Sequence, residues 1–193
     1  MDYKLKKALL EHAERVIPPL EWGMDVRLTL DEDRLSTLSE AISQNGTKWE
    51  KLQANRSALK LIPDRPGLYM FVWRLQVSLH TASEGTYQFR KVLYVGKAGP
   101  GGASTIRKRF SAEYLRHIEG DPSALWTTKF QTRHDRLSKL LLLQGLELWH
   151  CCSRGDEAHL QNWENDLIKV FSPPGNIINR SPRAKLGKAR TAF

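Results

Sequence analysis

Cysteine is nearly absent from this sequence: Cys151 and Cys152 are the only two among 193 residues, and they are neighbours. Adjacent cysteines rarely bridge, because a disulfide at that spacing is strained. No disulfide framework is expected, and a reducing, cytoplasmic setting is. His150 and His159 lie close enough in sequence to raise the question of a zinc site. However, LELWHCC (146–152) reads as a strand, which sends successive side chains to opposite faces. Small buried hydrophobes are therefore the expected role of both thiols. Long apolar runs are lacking as well. Nothing approaches the ~20 residues that cross a bilayer, and charges interrupt the N-terminal MDYKLKKALLEHAERV. Neither a signal peptide nor a membrane partner is expected.

Acidic residues are scarce in the larger, C-terminal part. Residues 1–62 hold ten basic and ten acidic side chains, so the whole net charge of +9 falls on residues 63–193. A one-sided excess of this kind suits a polyanionic partner, because neutralising phosphates releases counterions and drives association. From Arg180 onward the tail carries Arg180, Arg183, Lys185, Lys188 and Arg190 with no acid between them. These five, with Arg107 and Lys108, are the expected contacts to a nucleic-acid backbone.

Periodicity divides the chain. Helices are expected over 4–17, stopped by Pro18-Pro19, and over a segment carrying Leu35, Leu38 and Ile42 that ends near Asn45-Gly46. A third is expected over about 47–61, from Trp49, Leu52, Leu59 and Leu61. Asp64-Arg65-Pro66-Gly67 is turn chemistry and marks the boundary. The expected division is a helical extension (1–62), a main domain (63–179) and a basic tail (180–193). In the main domain, 68–73 and 89–95 are runs of strand formers, with Ser83-Glu84-Gly85 between them. They read as a long hairpin with a bulge or a wide loop. A helix from about Ser104 to His117 follows, then one over 133–144, a strand over 146–152, and a helix over 157–171 that Pro173-Pro174 forbids from continuing. The fold class is α/β, of the α+β kind.

Several segments carry chemistry. PGLYMFVW (66–73) and KVLYVGKAG (91–99) each place a tyrosine beside a glycine, and STIRKRF (104–110) is basic. ENDLIKVFSPPGN (164–176) sets a carboxylate on an apolar-striped helix and an asparagine after a Pro-Pro-Gly stop. A buried carboxylate needs a partner, and a divalent cation is one candidate. The loop 96–105 is glycine-rich but lacks a lysine directly before its Ser-Thr, which excludes a Walker phosphate loop.

The order Gly67-Leu68-Tyr69, Tyr94-Val95-Gly96, Arg109, Glu164, Asn176 resembles the GIY-YIG nuclease superfamily, including its restriction-endonuclease-like branch. The resemblance covers about residues 66–180. It implies a three-stranded antiparallel sheet flanked by helices, and hydrolysis of DNA phosphodiesters with one Mg²⁺ or Mn²⁺ on Glu164. It also implies that Tyr69, Tyr94 and Lys97 handle the attacking water, that Arg109 faces the scissile phosphate, and that Asn176 holds the loop or bonds a phosphate. One turn after the arginine such nucleases often carry histidine or tyrosine. This chain has Glu113 there, Tyr114 next to it and His117 further along, and Tyr114 is assigned to that role. The expected function is a metal-dependent DNA endonuclease of restriction or defence. The alternative is a DNA-binding protein of the same fold with impaired catalysis.

Overall fold

The computed structural model describes residues 3–14, 32–81, 85–99, 104–127, 132–154 and 159–176. Among the described residues two helices come first, α1 (Tyr3–Glu11) and α2 (Glu32–Asn45). Strand β1 (Glu50–Gln53) leads through a 3₁₀ turn (Arg56–Lys60) to the hairpin strands β2 (Gly67–Thr81) and β3 (Gly85–Ala98). Helix α3 (106–118), a short α4 (Ala124–Thr127) and α5 (Arg133–Leu140) precede β4 (Leu146–Cys152). Helix α6 (Leu160–Phe171) ends in a left-handed Ser172, and a 3₁₀ turn (Pro174–Asn176) follows.

The sheet is wholly antiparallel, with four strands among the described residues in the order β1-β4-β2-β3. This corrects the three-stranded expectation, and the extra strand comes from the segment expected to be helical over 47–61. Only Leu52 of Glu50-Lys51-Leu52-Gln53 is less than fully exposed, and β1 pairs with β4 alone. A short charged edge strand shows almost no two-residue periodicity, and long-range pairing decides its state. The helical spacing nearby has a real source, since Ala54, Ala58 and Ile62 are buried around the 3₁₀ turn. They join the same cluster as Tyr69, so residues 50–62 contribute to the main core. The basic tail lies outside the described residues.

Alternation along the strands makes two apolar layers. Tyr69, Phe71, Tyr94, Leu148 and Cys152 face one, with Phe110 and Tyr114 of α3. Leu68, Met70, Val72, Val95 and Cys151 face the other, with Leu160, Trp163 and Leu167 of α6. Both cysteines are free and buried, one in each layer. The hairpin carries the irregularities that its length demanded. One register shift lies between Phe71 and Val72 and another between Arg74 and Ser78. At the first, Leu93 and Tyr94 both join the phenol-bearing layer, as an inserted residue permits. No helix among the described residues is long and apolar enough to cross a membrane.

Candidate active site

Tyr69 pairs with Gly96 and Phe71 with Tyr94, so the two tyrosines are diagonal neighbours on one face. A Cβ on Gly96 would come within 2.6 Å of Tyr69 Cζ and Oη. The glycine of the second motif is thus required by the tyrosine of the first, which lies across it. Gly67 is constrained from the other side, because a Cβ there would strike the backbone of Cys151 and Cys152.

Helix α3 supplies the third phenol. Thr105 caps it by accepting from the Lys108 N–H at 3.2 Å. Its middle, Phe110–Tyr114, is a π-helical turn. Such a turn absorbs one extra residue, which lets Tyr114 point inward while Glu113, four residues after Arg109, stays exposed. Tyr69 Oη and Tyr114 Oη lie 2.7 Å apart, and Tyr114 donates to Tyr94 Oη across a longer 3.4 Å. A hydroxyl has one proton to give, so Tyr69 is then the donor to Tyr114. The chain of phenols runs Tyr69 to Tyr114 to Tyr94. At its end Arg133 Nη2 also donates to Tyr94 Oη at 3.2 Å, with the guanidinium carbon 5.6 Å from the ring centroid. Burial pushes the Tyr69 and Tyr114 phenols well above their usual range; Tyr94 raises both further and Tyr69 raises Tyr114, whereas the hydrogen bond with Tyr114 pulls Tyr69 partly back. Both stay protonated at any ordinary pH.

These phenols open onto a cleft of about 610 Å³ that Lys97, Arg109 and Glu164 also line. Arg116 and His117 of α3 and Arg133 and His134 of α5 line it too. A larger opening, about 920 Å³, lies between Lys4 and Leu5 of α1 and the 141–146 turn. Its lining holds two cations, Lys4 and Arg74, and one carboxylate, Glu119. It gathers no phenols or histidines, so the smaller cleft is the chemical one.

Arg109 is held from two sides: its Nε donates to Ser104 Oγ at 2.9 Å and its Nη1 to Glu113 Oε1 at 2.7 Å. Glu164 is half-buried, and its hydrogen bond among the described residues comes from Gln161 Nε2 at 3.3 Å. Burial raises the Glu164 carboxyl above its usual range, against the opposing pull of Lys97, Arg133 and Arg109. Asn176 behaves differently. Its Oδ1 accepts from the Val95 N–H at 2.8 Å and its Nδ2 donates to the Val95 carbonyl at 2.7 Å. Both ends of the amide are spent on the edge of β3, and Asn176 does not line the cleft. Of the residues expected to touch DNA, Arg107 uses its Nε on the Ile62 carbonyl at 2.7 Å, and Lys108 is exposed. Arg180, Arg183, Lys185, Lys188 and Arg190 fall outside the described residues.

A metal is tested here by the donor set. Among the described residues no three His, Cys, Asp or Glu side chains cluster, which leaves no all-protein cage of the zinc or calcium kind. Glu164, with Glu113 also on the cleft, matches what Mg²⁺ uses when it takes one or two carboxylates and keeps its waters.

Sequence reasoning missed Arg116, Arg133 and His134. A signal for the last two was present: Thr132-Arg133-His134-Asp135 is a capping box, with Thr132 Oγ1 and the Asp135 carboxylate bonding each other's N–H. It fixes Arg133 and His134 in the first turn of α5, although nothing local says where that turn docks. No protein-family model, curated protein or solved structure matches this chain.

Proposed function

We propose that this chain is a divalent-metal-dependent endonuclease of the GIY-YIG type that hydrolyses DNA phosphodiester bonds, acting in restriction or defence. One observation carries the reading. Tyr69, Tyr94, Lys97, Arg109, Tyr114 and Glu164 come from four elements, yet all line one cleft. The charge supports a polyanionic substrate, since the chain is +9 overall and four Lys or Arg side chains border the cleft.

Tyr94 is the base in this scheme. Its oxygen already receives donors from Arg133 and Tyr114, so charge left there by a departing proton meets preorganised partners. Tyr94 first releases its own proton to solvent; the phenolate then takes a proton from the attacking water, whose oxygen bonds to phosphorus as the ester bond opposite breaks, with the leaving oxygen taking a proton from solvent. Tyr69 stays neutral and orients. Arg109, pinned by Ser104 and Glu113, presents its remaining donors to the phosphate oxygens, for which its planar fork is suited. Glu164 would hold Mg²⁺ or Mn²⁺, whose chemistry is Lewis-acid stabilisation of the leaving oxygen.

The test is incubation with plasmid and long linear DNA in Mg²⁺ or in EDTA. Cleavage in Mg²⁺ alone, abolished in Glu164→Gln with DNA affinity kept within a few-fold, is the expected outcome. Undiminished cleavage in EDTA, or a fully active Glu164→Gln, rejects the metal assignment. DNA that is shifted but never cut makes the chain a binding protein on this fold.

A further inference from the structure

Three residues that line the cleft, Arg116 and His117 at the end of α3 and His134 at the start of α5, have no part in the proposed hydrolysis. The His117 and His134 rings meet edge to face with centroids 5.0 Å apart. Arg116 Nε donates to His117 Nε2 at 3.2 Å, so these two basic side chains at the end of α3 are in contact. An acceptor nitrogen requires His117 to be neutral at rest. Arg133 and His134 sit in the first helical turn of α5, fixed by its capping box.

From this geometry we infer that Arg116, His117 and His134 form a second phosphate subsite, which grips a DNA phosphate away from the scissile bond and takes up a proton as it does so. The inference rests on the nuclease reading of the same cleft.

Charge balance gives the reason. The carboxylates of the cleft are engaged elsewhere: Glu113 is tied to Arg109, and Glu164 stands among Lys97, Arg133 and Arg109. The phenols bonded to one another are neutral donors. Asp135 acts on His134 but is spent on the Thr132 cap, while the charges that act on His117 are the basic Arg116 and His134, so an incoming phosphate is the anion that His117 lacks. Burial lowers the affinity of His117 for a proton, and Arg116 and His134 lower it further. An anion placed against the rings offsets those two electrostatic contributions and favours the imidazolium. Binding is then linked to proton uptake, and the sign is fixed: affinity rises as pH falls through the histidine range.

The experiment measures binding of a short fluorescent duplex to the full chain by anisotropy, in EDTA so that no cutting intervenes, at about pH 6 and about pH 8. One full proton over two pH units sets a ceiling of about 100-fold, and partial uptake should give the wild type about fivefold higher affinity at the lower pH. The double variant H117Q/H134Q should lose most of that gain while still binding at the higher pH. H134Q alone, a change at an exposed position, should lose part of it and serves if the double variant folds poorly. An unchanged pH dependence in the folded variants overturns the subsite and leaves the nuclease reading standing. Absence of binding by the wild type at both pH values overturns that reading along with the subsite, whereas Mg²⁺-dependent cleavage with no pH-linked binding overturns the subsite alone.

Discussion

The two faces of the sheet are made from alternate residues of the same strands, yet only one contains hydroxyls. The face under α6 is dry, with Leu68, Met70, Val72 and Val95 against Leu160, Trp163 and Leu167. The opposite face buries three tyrosines among Phe71, Phe110 and Leu148. A buried hydroxyl without a partner costs several kcal/mol, roughly 1–3 by protein substitution data. Here each phenol oxygen is bonded to another phenol, and the last also to Arg133. The polar line crosses an apolar core without an orphan and emerges at the cleft. Helix α6 joins the two faces: Trp163 is buried in the dry layer, while the next residue, Glu164, reaches the cleft. Both faces thus hold the fold, and the phenol-bearing one also opens onto the candidate cleft, with a single helix in register with both.

The sharpest way to break this division is within the phenols. Tyr94→Phe removes the proposed base and is expected to lower the cleavage rate by about two orders of magnitude or more, the usual scale of general-base loss. Tyr69→Phe should cost less, because Tyr69 is deeply buried and held protonated. Single-turnover cleavage at saturating DNA and metal makes the comparison. A larger loss in Tyr69→Phe would reverse the two roles and run the proton chain in the other direction.

The next expected effect concerns stability. Asn176 closes the edge of β3 by satisfying both backbone groups of Val95. Asn176→Ala leaves a buried N–H and a buried carbonyl unpaired, and should destabilise the chain by about 2–4 kcal/mol. Urea titration followed by tryptophan fluorescence measures it. If stability is unaffected while cleavage is lost, Asn176 acts on a phosphate and not on the strand.

How much of this was legible follows from what kind of interaction made each part. Strands β2 and β4 and helix α6 were visible because their apolar residues recur with one period and stop at Gly or Pro. Strand β1 was not, since Glu50-Lys51-Leu52-Gln53 offers one apolar side chain and owes its state to β4. Tyr69, Tyr94 and Glu164 could be named from motif spacing, but Tyr114, whose phenol bridges the two tyrosines, is turned inward by a π-helical turn that no local pattern announces. Glu164 and Asn176 belong to one sequence motif, and the structure gives them separate duties, one on the cleft and one on the edge of β3. Arg133 and His134 were hidden for a different reason: a capping box states where a helix starts, not what its first turn will face.

The smallest expected effect lies at the rim, where Arg109 and Glu113 are paired. Their side chains keep 38% and 44% exposure, so the pair is screened by water and contributes a few tenths of a kcal/mol, about 0.3–0.5 for this helical spacing. Glu113→Gln should therefore leave urea stability unchanged within about 0.5 kcal/mol. The same change removes a negative charge from the cleft and loosens one donor of Arg109, so DNA affinity should rise by about twofold to threefold at low salt and less at high salt. Fluorescence anisotropy over a salt series separates the two readings. A stability loss above about 1 kcal/mol would show that the pair braces α3. Unchanged stability with tighter, salt-sensitive binding would show that Glu113 restrains Arg109 until a phosphate takes its place.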